Sequence, residues 1–378
     1  MNPTPPDLDR IAAAFQRKEY RSAARLLNPL LKTHGDDPWV QLYAARLHEL
    51  SGKPHIAEPI YRTLLRNTQN PNPKILSQAR QGLQRLETQE KQSRQAALEQ
   101  ARTTPQNAKP GLMVLEPLGD RDRKAAAQQA ARILNLDPYS ARMILPARHW
   151  RLYRLGPLGE LQVYGEDLNR SGVPCFTLAI AALHSPQVFR VQYLRGIKPQ
   201  PTVVCQNADG RLGAIAFQWS EVAQRVSGQV PIFESVVDTD ARGNLVRREN
   251  IQDYALLMDL HLPKRNTILR FCESSYQFDR GVQFSPVPFL AEKSTQLRPT
   301  RRTHWNAIIA YLAQQLPDAP HLKDFDGFAS SALDETELLG KIKPHIDLFR
   351  REETLWDAAF QLYSAIAFGR WSLQIPRS

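Results

Sequence analysis

Three arginines, Arg298, Arg301 and Arg302, stand close together just before an apolar helical stretch that Thr303 is placed to cap. A guanidinium group binds a carboxylate or phosphate through two parallel hydrogen bonds, and a helix N-terminus adds free backbone N–H groups. These three arginines are therefore a candidate anion-binding site. A solvated loop in front of an amphipathic helix accounts for the same residues without a ligand, and we favour that interpretation.

Acidic residues form two further candidates. The segment from Asp324 to Gly327 has two carboxylates and a glycine at calcium-loop spacing, but Leu322 and Leu333 occupy the first and twelfth positions, where an EF-hand needs oxygen ligands. Three acids at a strand end and its turn are placed as carboxylates for acid–base work would be: Glu234, Asp238 and Asp240. Aspartate also stabilises turns locally, so we favour polar turns in both places.

The sequence lacks the strong catalytic signatures. It has no G-x-x-x-x-G-K-[ST], G-x-G-x-x-G, H-E-x-x-H or G-x-S-x-G string. Four histidines are scattered without metal-ligand spacing: His149, His184, His261 and His304. Cys175 and Cys272 lie inside apolar stretches, as buried small hydrophobic residues do. We therefore assign no catalytic residue, no metal ion and no cofactor, and the sequence leans away from an enzyme.

Composition limits the classes of protein that remain. The 378 residues carry 49 Lys and Arg against 38 Asp and Glu, so the net charge of +11 permits an acidic partner. The three cysteines are solitary and odd in number, which favours a reducing, cytoplasmic compartment. No apolar run is long enough to span a membrane, and the first residues carry neither a basic nor an apolar signal region. We expect a cytoplasmic protein without a transmembrane segment.

The N-terminal part of the chain contains an internal repeat, which would position the functional residues there. Residues 11–35 align with residues 45–69 at a shift of 34, which pairs Ala23 with Ala57 and Leu27 with Tyr61. This period is typical of helical-hairpin repeats. Small residues let the two helices of a unit approach closely, and large residues fill the space between units. The alignment predicts two helical hairpins and a third helix that starts near Pro73.

This segment resembles a tetratricopeptide-repeat module. Ala45, Gly52, Ala57 and Tyr61 fall where that repeat has a small residue, a turn glycine, a small residue and an aromatic residue, whereas Lys18 replaces the turn glycine of the first unit. The resemblance implies a concave surface that holds a peptide or protein partner. On the alignment, the candidate binding residues are Arg10, Arg17, Gln41, Arg46 and Glu49. The layout of the whole chain also resembles that of uncharacterised cyanobacterial tetratricopeptide proteins.

The rest of the chain predicts a multidomain protein of α and α+β class. Residues 1–87 form the helical repeat, and residues 88–110 form a polar linker that lacks an apolar stripe and ends in a proline-containing break. Strand and helix patterns alternate over 111–196, which indicates a small α/β sandwich. Strands dominate from 197, and helices return before 378, so 197–378 is expected to be a sheet-rich α+β domain with C-terminal helices.

Three functions follow in order of preference. The first is a non-catalytic adaptor that uses the repeat surface to recruit a protein or peptide partner. The second is nucleic-acid binding by a basic surface of the C-terminal part, because Trp150 and Tyr153 alternate with Arg151 and Arg154 on one strand. The third is an unfamiliar enzyme in the C-terminal part.

Overall fold

The N-terminal part of the chain folds into helices because its apolar residues recur every three or four positions. The computed structural model describes residues 5–66, 72–239, 245–284, 300–348 and 353–374. Five helices follow one another here: α1 (Pro5–Gln16), α2 (Tyr20–Thr33), α3 (Pro38–Leu50), α4 (Pro54–Arg66) and α5 (Pro73–Thr103). The expected run of consecutive helices is thus present.

Two apolar clusters hold these helices together. One joins α1, α2 and α3 around Phe15, whose ring stacks on that of Tyr43 at a centroid distance of 5.4 Å. The other joins α3, α4 and α5 around Tyr61. Ala23 and Ala57 are both 0% exposed, which confirms the expectation that these two small residues are buried between helices. The helical segment therefore has its own core.

The remaining elements alternate between strand and helix at first. They are β1 (Pro110–Leu115), α6 (Asp120–Leu134), α7 (Pro138–Ile144), β2 (Arg151–Pro157), α8 (Leu158–Arg170), β3 (Cys175–Ala179) and α9 (Ile180–Leu183). The three strands form an antiparallel sheet of order β2-β1-β3. One face of it packs on α6, α7 and α8 through Met113, Leu115 and Cys175.

Seven further strands form the larger sheet. They are β4 (Gln187–Gly196), β5 (Thr202–Gln206), β6 (Leu212–Ala216), β7 (Gln224–Thr239), β8 (Leu245–Leu262), β9 (Thr267–Cys272) and β10 (His321–Leu322). Their order is β10-β7-β8-β9-β4-β5-β6, in which β4 and β9, and β7 and β10, run parallel. Every residue of the central strand β9 is buried.

Helices cover both faces of the larger sheet. They are α10 (Arg301–Gln315), α11 (Phe325–Ala332), α12 (Thr336–Leu339) and α13 (Leu355–Gln374). Trp305 and Ile308 of α10 pack on one face. On the other face, α13 lies in an apolar cluster that contains residues of both sheets, including Leu112 of the small sheet and Leu257 of the large one. Residues 358–368 of α13 are all buried, since the helix is enclosed by protein on all sides.

These pairings bear on the expected domain limits. The limit at 196–197 falls between β4 and β5, which are hydrogen-bonded neighbours in one sheet. Helix α5 also continues through most of the expected linker, as far as Thr103. The chain forms two compact units, Met1–Gln100 and Ala101–Ser378. Residues 111–196 and 197–378 therefore belong to one compact unit, because they share the core around α13.

Candidate functional site

The candidate binding residues of the N-terminal unit lie on α1, on α3 and in the turn after α1. Arg10 and Arg17 are exposed, whereas Gln41 and Arg46 are half-buried. The guanidinium carbon of Arg46 lies 5.1 Å from the ring centroid of Phe15, a cation–π distance. Arg46 is thus held against the core by an aromatic ring, and Arg10 and Arg17 extend into solvent.

Glu49, the fifth candidate, has partners within its own unit. Its carboxylate accepts a hydrogen bond from the Tyr61 hydroxyl at 2.7 Å and from Nε of Arg85 at 2.6 Å. Burial and the bond to Glu49 raise the pKa of Tyr61, so the phenol stays protonated. Gly82 makes this arrangement possible, because a Cβ there would overlap the ring of Tyr61. Glu49 therefore ties α3 to α4 and α5.

One face of α5 continues from Arg85 as a row of exposed polar side chains. We call it the α5 polar face, and it borders a shallow depression of about 380 Å³ with six residues: Gln81, Gln84, Arg85, Thr88, Gln89 and Gln92. Spacings of three and four place them on one side of the helix. The four glutamine side chains form no hydrogen bond with any other residue that the structure describes. Their amides are available to a partner as both donors and acceptors.

At the candidate anion site, the residue that caps the N-terminus of α10 differs from the one expected. Thr300 rather than Thr303 caps α10, since its hydroxyl accepts the backbone N–H of Thr303 at 3.3 Å. Arg301 donates from Nη1 to the backbone carbonyls of Ser274 and Glu273. Arg298 lies outside the residues that the structure describes.

Arg302 also meets an internal acceptor. Its Nε lies 3.1 Å from Oε1 of Glu273, and the Glu273 side chain is 8% exposed. Burial raises the pKa of Glu273, and the nearby charge of Arg302 opposes this rise. The anion that Arg302 contacts in the folded chain is therefore a carboxylate of the protein itself.

The segment that carries the nucleic-acid alternative, Trp150 and the following strand β2, directs its aromatic rings inward. Trp150 packs edge-on against Phe176 and Tyr363 at centroid distances of 5.3 and 5.9 Å. Tyr153 packs on the cluster beneath α6 and α8. The guanidinium of Arg154 lies 5.8 Å from the ring centroid of Tyr164. These aromatic residues contribute to packing, and base stacking needs exposed rings.

A buried polar network that sequence reasoning missed lies between the larger sheet and α13. Asp259 on β8 and Arg270 on β9 are direct cross-strand partners, 0% and 1% exposed, with Nη2 and Oδ2 2.6 Å apart. Gln224 on β7 is likewise opposite His261 on β8. Ser364 of α13 closes the network against both Asp259 and His261. Buried charges of this kind need a partner and full hydrogen bonding.

The donors and acceptors of this network fix its protonation. Nε2 of Gln224 donates to the carbonyl of Ala367 and to Nδ1 of His261, so the imidazole proton lies on Nε2. His261 then donates to the Ser364 hydroxyl, which donates to Asp259 at 2.6 Å. Burial lowers the pKa of His261 to about 4. The ring is therefore neutral at pH 7.

The Ser364, His261 and Asp259 arrangement differs from a nucleophile triad. In a triad the histidine takes the proton of the serine and the carboxylate orients the histidine. Here the hydroxyl proton of Ser364 is committed to Asp259, and all three side chains are 0% exposed. The network consequently holds the core together. The sequence signal was present, since Asp259 and His261 alternate with leucine in the apolar C-terminal part of β8.

The acidic candidates remain apart from any metal-like cluster. Asp324 precedes α11 without capping it, and Asp326 accepts a hydrogen bond from Gln229 at 3.1 Å. Glu234 is exposed on β7, Asp238 lies on the same strand, and Asp240 is outside the described residues. Within the described ranges, no group of three or more histidine, cysteine, aspartate or glutamate residues could hold a metal ion. In the same ranges, no helix has the length and apolarity to cross a membrane.

Comparison with protein-family models, with curated proteins and with solved structures gives no match for this chain.

Proposed function

We propose that this protein is a non-catalytic adaptor whose N-terminal helices recruit a protein or peptide partner. The proposal keeps the tetratricopeptide-like interpretation of these helices, in which the first helix of each hairpin lines the binding surface. In that interpretation α1, α3 and α5 are the lining helices. The observation that carries the proposal is the row of unpartnered glutamine amides on α5.

Amide side chains suit a peptide ligand for a physical reason. A glutamine amide both donates and accepts, as a peptide group does, so it can replace the water that an extended peptide backbone loses on binding. The row from Gln81 to Gln92 covers several turns of one helix face. Arg85 borders the same depression, and its Nε and Nη2 are paired with the carboxylate of Glu49.

The test compares two double variants of the full chain. Gln84→Ala with Gln89→Ala removes the centre of the α5 polar face, and alanine preserves helix propensity. Glu87→Ala with Lys91→Ala alters a different face of the same helix at no change in net charge, so it serves as the matched control. Proteins recovered with each form from a cell extract are identified by mass spectrometry, with and without nuclease.

We expect the amount of at least one recovered partner to fall about tenfold or more with the first variant and to stay unchanged with the control. An unchanged set of partners for both variants would contradict the proposal. Recovery that disappears after nuclease treatment would instead support nucleic-acid binding.

A cytoplasmic site of action is part of the proposal. All three cysteines, Cys175, Cys205 and Cys272, are buried and unpaired. Burial raises the pKa of Cys175 to about 12 and that of Cys205 to about 11, so both remain thiols. These properties fit a reducing compartment.

A further inference from the structure

A cleft of about 300 Å³ opens in the C-terminal unit, where the ends of β1, β7, β10 and α13 come together. Small-molecule sites in proteins begin at about this size, so the cleft suits a compact ligand. Its lining combines charged side chains with tryptophan rings.

One charged pair forms a fixed wall of the cleft. Nη2 of Arg370 lies 3.1 and 3.2 Å from the two carboxylate oxygens of Glu116. The guanidinium also lies 4.8 Å from the ring centroid of Phe176. The opposite charges of Glu116 and Arg370 neutralise each other and leave little attraction for a ligand.

Two further charged side chains, Arg148 and Asp324, line the same cleft outside the Glu116–Arg370 pair. Arg148 and Asp324 are both exposed, and the side chain of neither forms a hydrogen bond or ion pair with another described residue. The cleft therefore offers one cation and one anion to a ligand. A ligand with a single charge would satisfy only one of them, whereas a zwitterion satisfies both.

Gln224 also lines the cleft and carries an amide oxygen that can act as an acceptor. Gln224 is 5% exposed, and both N–H groups of its amide are used by Ala367 and His261. The hydrogen bonds of the Gln224 side chain to described residues are both made by Nε2, and none is made by Oε1. An ammonium group carries three donors, so it can bind a carboxylate and this amide oxygen together.

The remaining lining combines apolar residues with two imidazole rings, those of His149 and His321. Trp150 and Trp371 contribute rings, and Leu322 contributes an aliphatic side chain. The ring of Trp150 is held edge-on by Phe176 and Tyr363 and so presents a preformed surface. The non-polar part of a ligand would be buried against these residues.

We propose that this cleft binds a free α-amino acid with an apolar side chain. Arg148 binds its carboxylate, Asp324 and Gln224 bind its ammonium group, and the tryptophans contact its side chain. This site is independent of the partner surface on α5.

The test is titration calorimetry of the full chain with L-phenylalanine, L-leucine and L-methionine. For the amino acid that binds most tightly, the matching compounds without the amine and without the carboxylate are titrated next. For L-phenylalanine these are 3-phenylpropanoate and phenethylamine. We expect saturable binding of at least one amino acid and binding about tenfold weaker or more for both analogues.

Single substitutions test the roles of Arg148 and Asp324 in binding the amino acid. Arg148→Ala and Asp324→Ala are each expected to weaken binding about tenfold or more, since each removes one charged partner. Arg142→Ala and Asp334→Ala replace exposed residues outside the cleft and are expected to leave binding unchanged. Circular dichroism verifies that each variant is folded.

Three results would overturn the proposal. The first is no binding of any of the three amino acids at millimolar concentration. The second is equal binding of either singly charged analogue, which would indicate a site for a simple anion or cation. The third is full binding by Arg148→Ala or Asp324→Ala.

Discussion

Lys18 and Gly52 lie 34 residues apart and share a left-handed backbone, with φ of 59° and 69°. Lys18 is in the turn between α1 and α2, and Gly52 is in the turn between α3 and α4. The two hairpins therefore turn in the same way, although only one of them has the glycine that this geometry favours.

This shared geometry predicts opposite effects of two substitutions. Lys18→Gly removes the steric penalty of a left-handed non-glycine residue and should stabilise the N-terminal helices by up to about 1 kcal/mol. Gly52→Ala should destabilise them by about 1 kcal/mol, and because a Cβ there meets no atom within 4 Å, backbone strain is the cause. Urea unfolding followed by circular dichroism measures both. Effects of the same sign would contradict the assignment of equivalent turns.

A larger side chain at Ala57 tests whether this residue is a packing contact between the repeat helices. Ala57 is 0% exposed between α3, α4 and α5, so Ala57→Leu should cost about 1–3 kcal/mol of unfolding free energy. The exposed Ala96 on α5 is the control, and Ala96→Leu should leave the melting temperature nearly unchanged. An equal effect of the two substitutions would show that Ala57 is not a packing contact between helices.

The Asp259–Arg270 pair predicts that substitutions of the two residues have non-additive effects on the free energy of unfolding. Arg270→Met leaves the carboxylate of Asp259 buried without its guanidinium and should cost about 3–5 kcal/mol. Asp259→Leu together with Arg270→Met removes both charges and should cost less than Arg270→Met alone. Unfolding free energies of the unchanged protein, Arg270→Met, Asp259→Leu and the double variant measure the coupling. A double variant less stable than either single variant would contradict a paired, desolvated interaction.

Buried His261 predicts a loss of stability in weak acid. Because its folded pKa is about 4 and the ordinary value is 6.5, the unfolded chain binds the extra proton first as the pH falls. The contribution of neutral His261 to the free energy of unfolding is fully present above pH 6.5 and is lost as the pH falls from 6.5 to 4. Nuclear magnetic resonance of the imidazole should show a neutral ring protonated on Nε2 at pH 5.5. A titration midpoint near 6.5 would contradict the buried network.

The local elements could be predicted from the sequence because their signals are local. The 34-residue shift located Ala23 and Ala57, which are both buried. The excess of strands expected from residue 197 is present as β5 to β9.

The arrangement of those elements depends on long-range pairing and could not be predicted. Strands β4 and β9 are parallel neighbours although about seventy residues separate them. Burial of Asp259 became evident only with Arg270 opposite it and α13 above it. Arg302 looked available for an outside anion until the fold placed Glu273 beside it.

The most direct test of the adaptor proposal removes the N-terminal unit. A chain that begins at Ala101 retains both sheets and α13, so its circular dichroism should show a folded protein. Recovery of the partner that the full chain captures should fall about tenfold or more with this shorter chain. Undiminished recovery would contradict the proposal, because recruitment would then depend on the C-terminal unit alone.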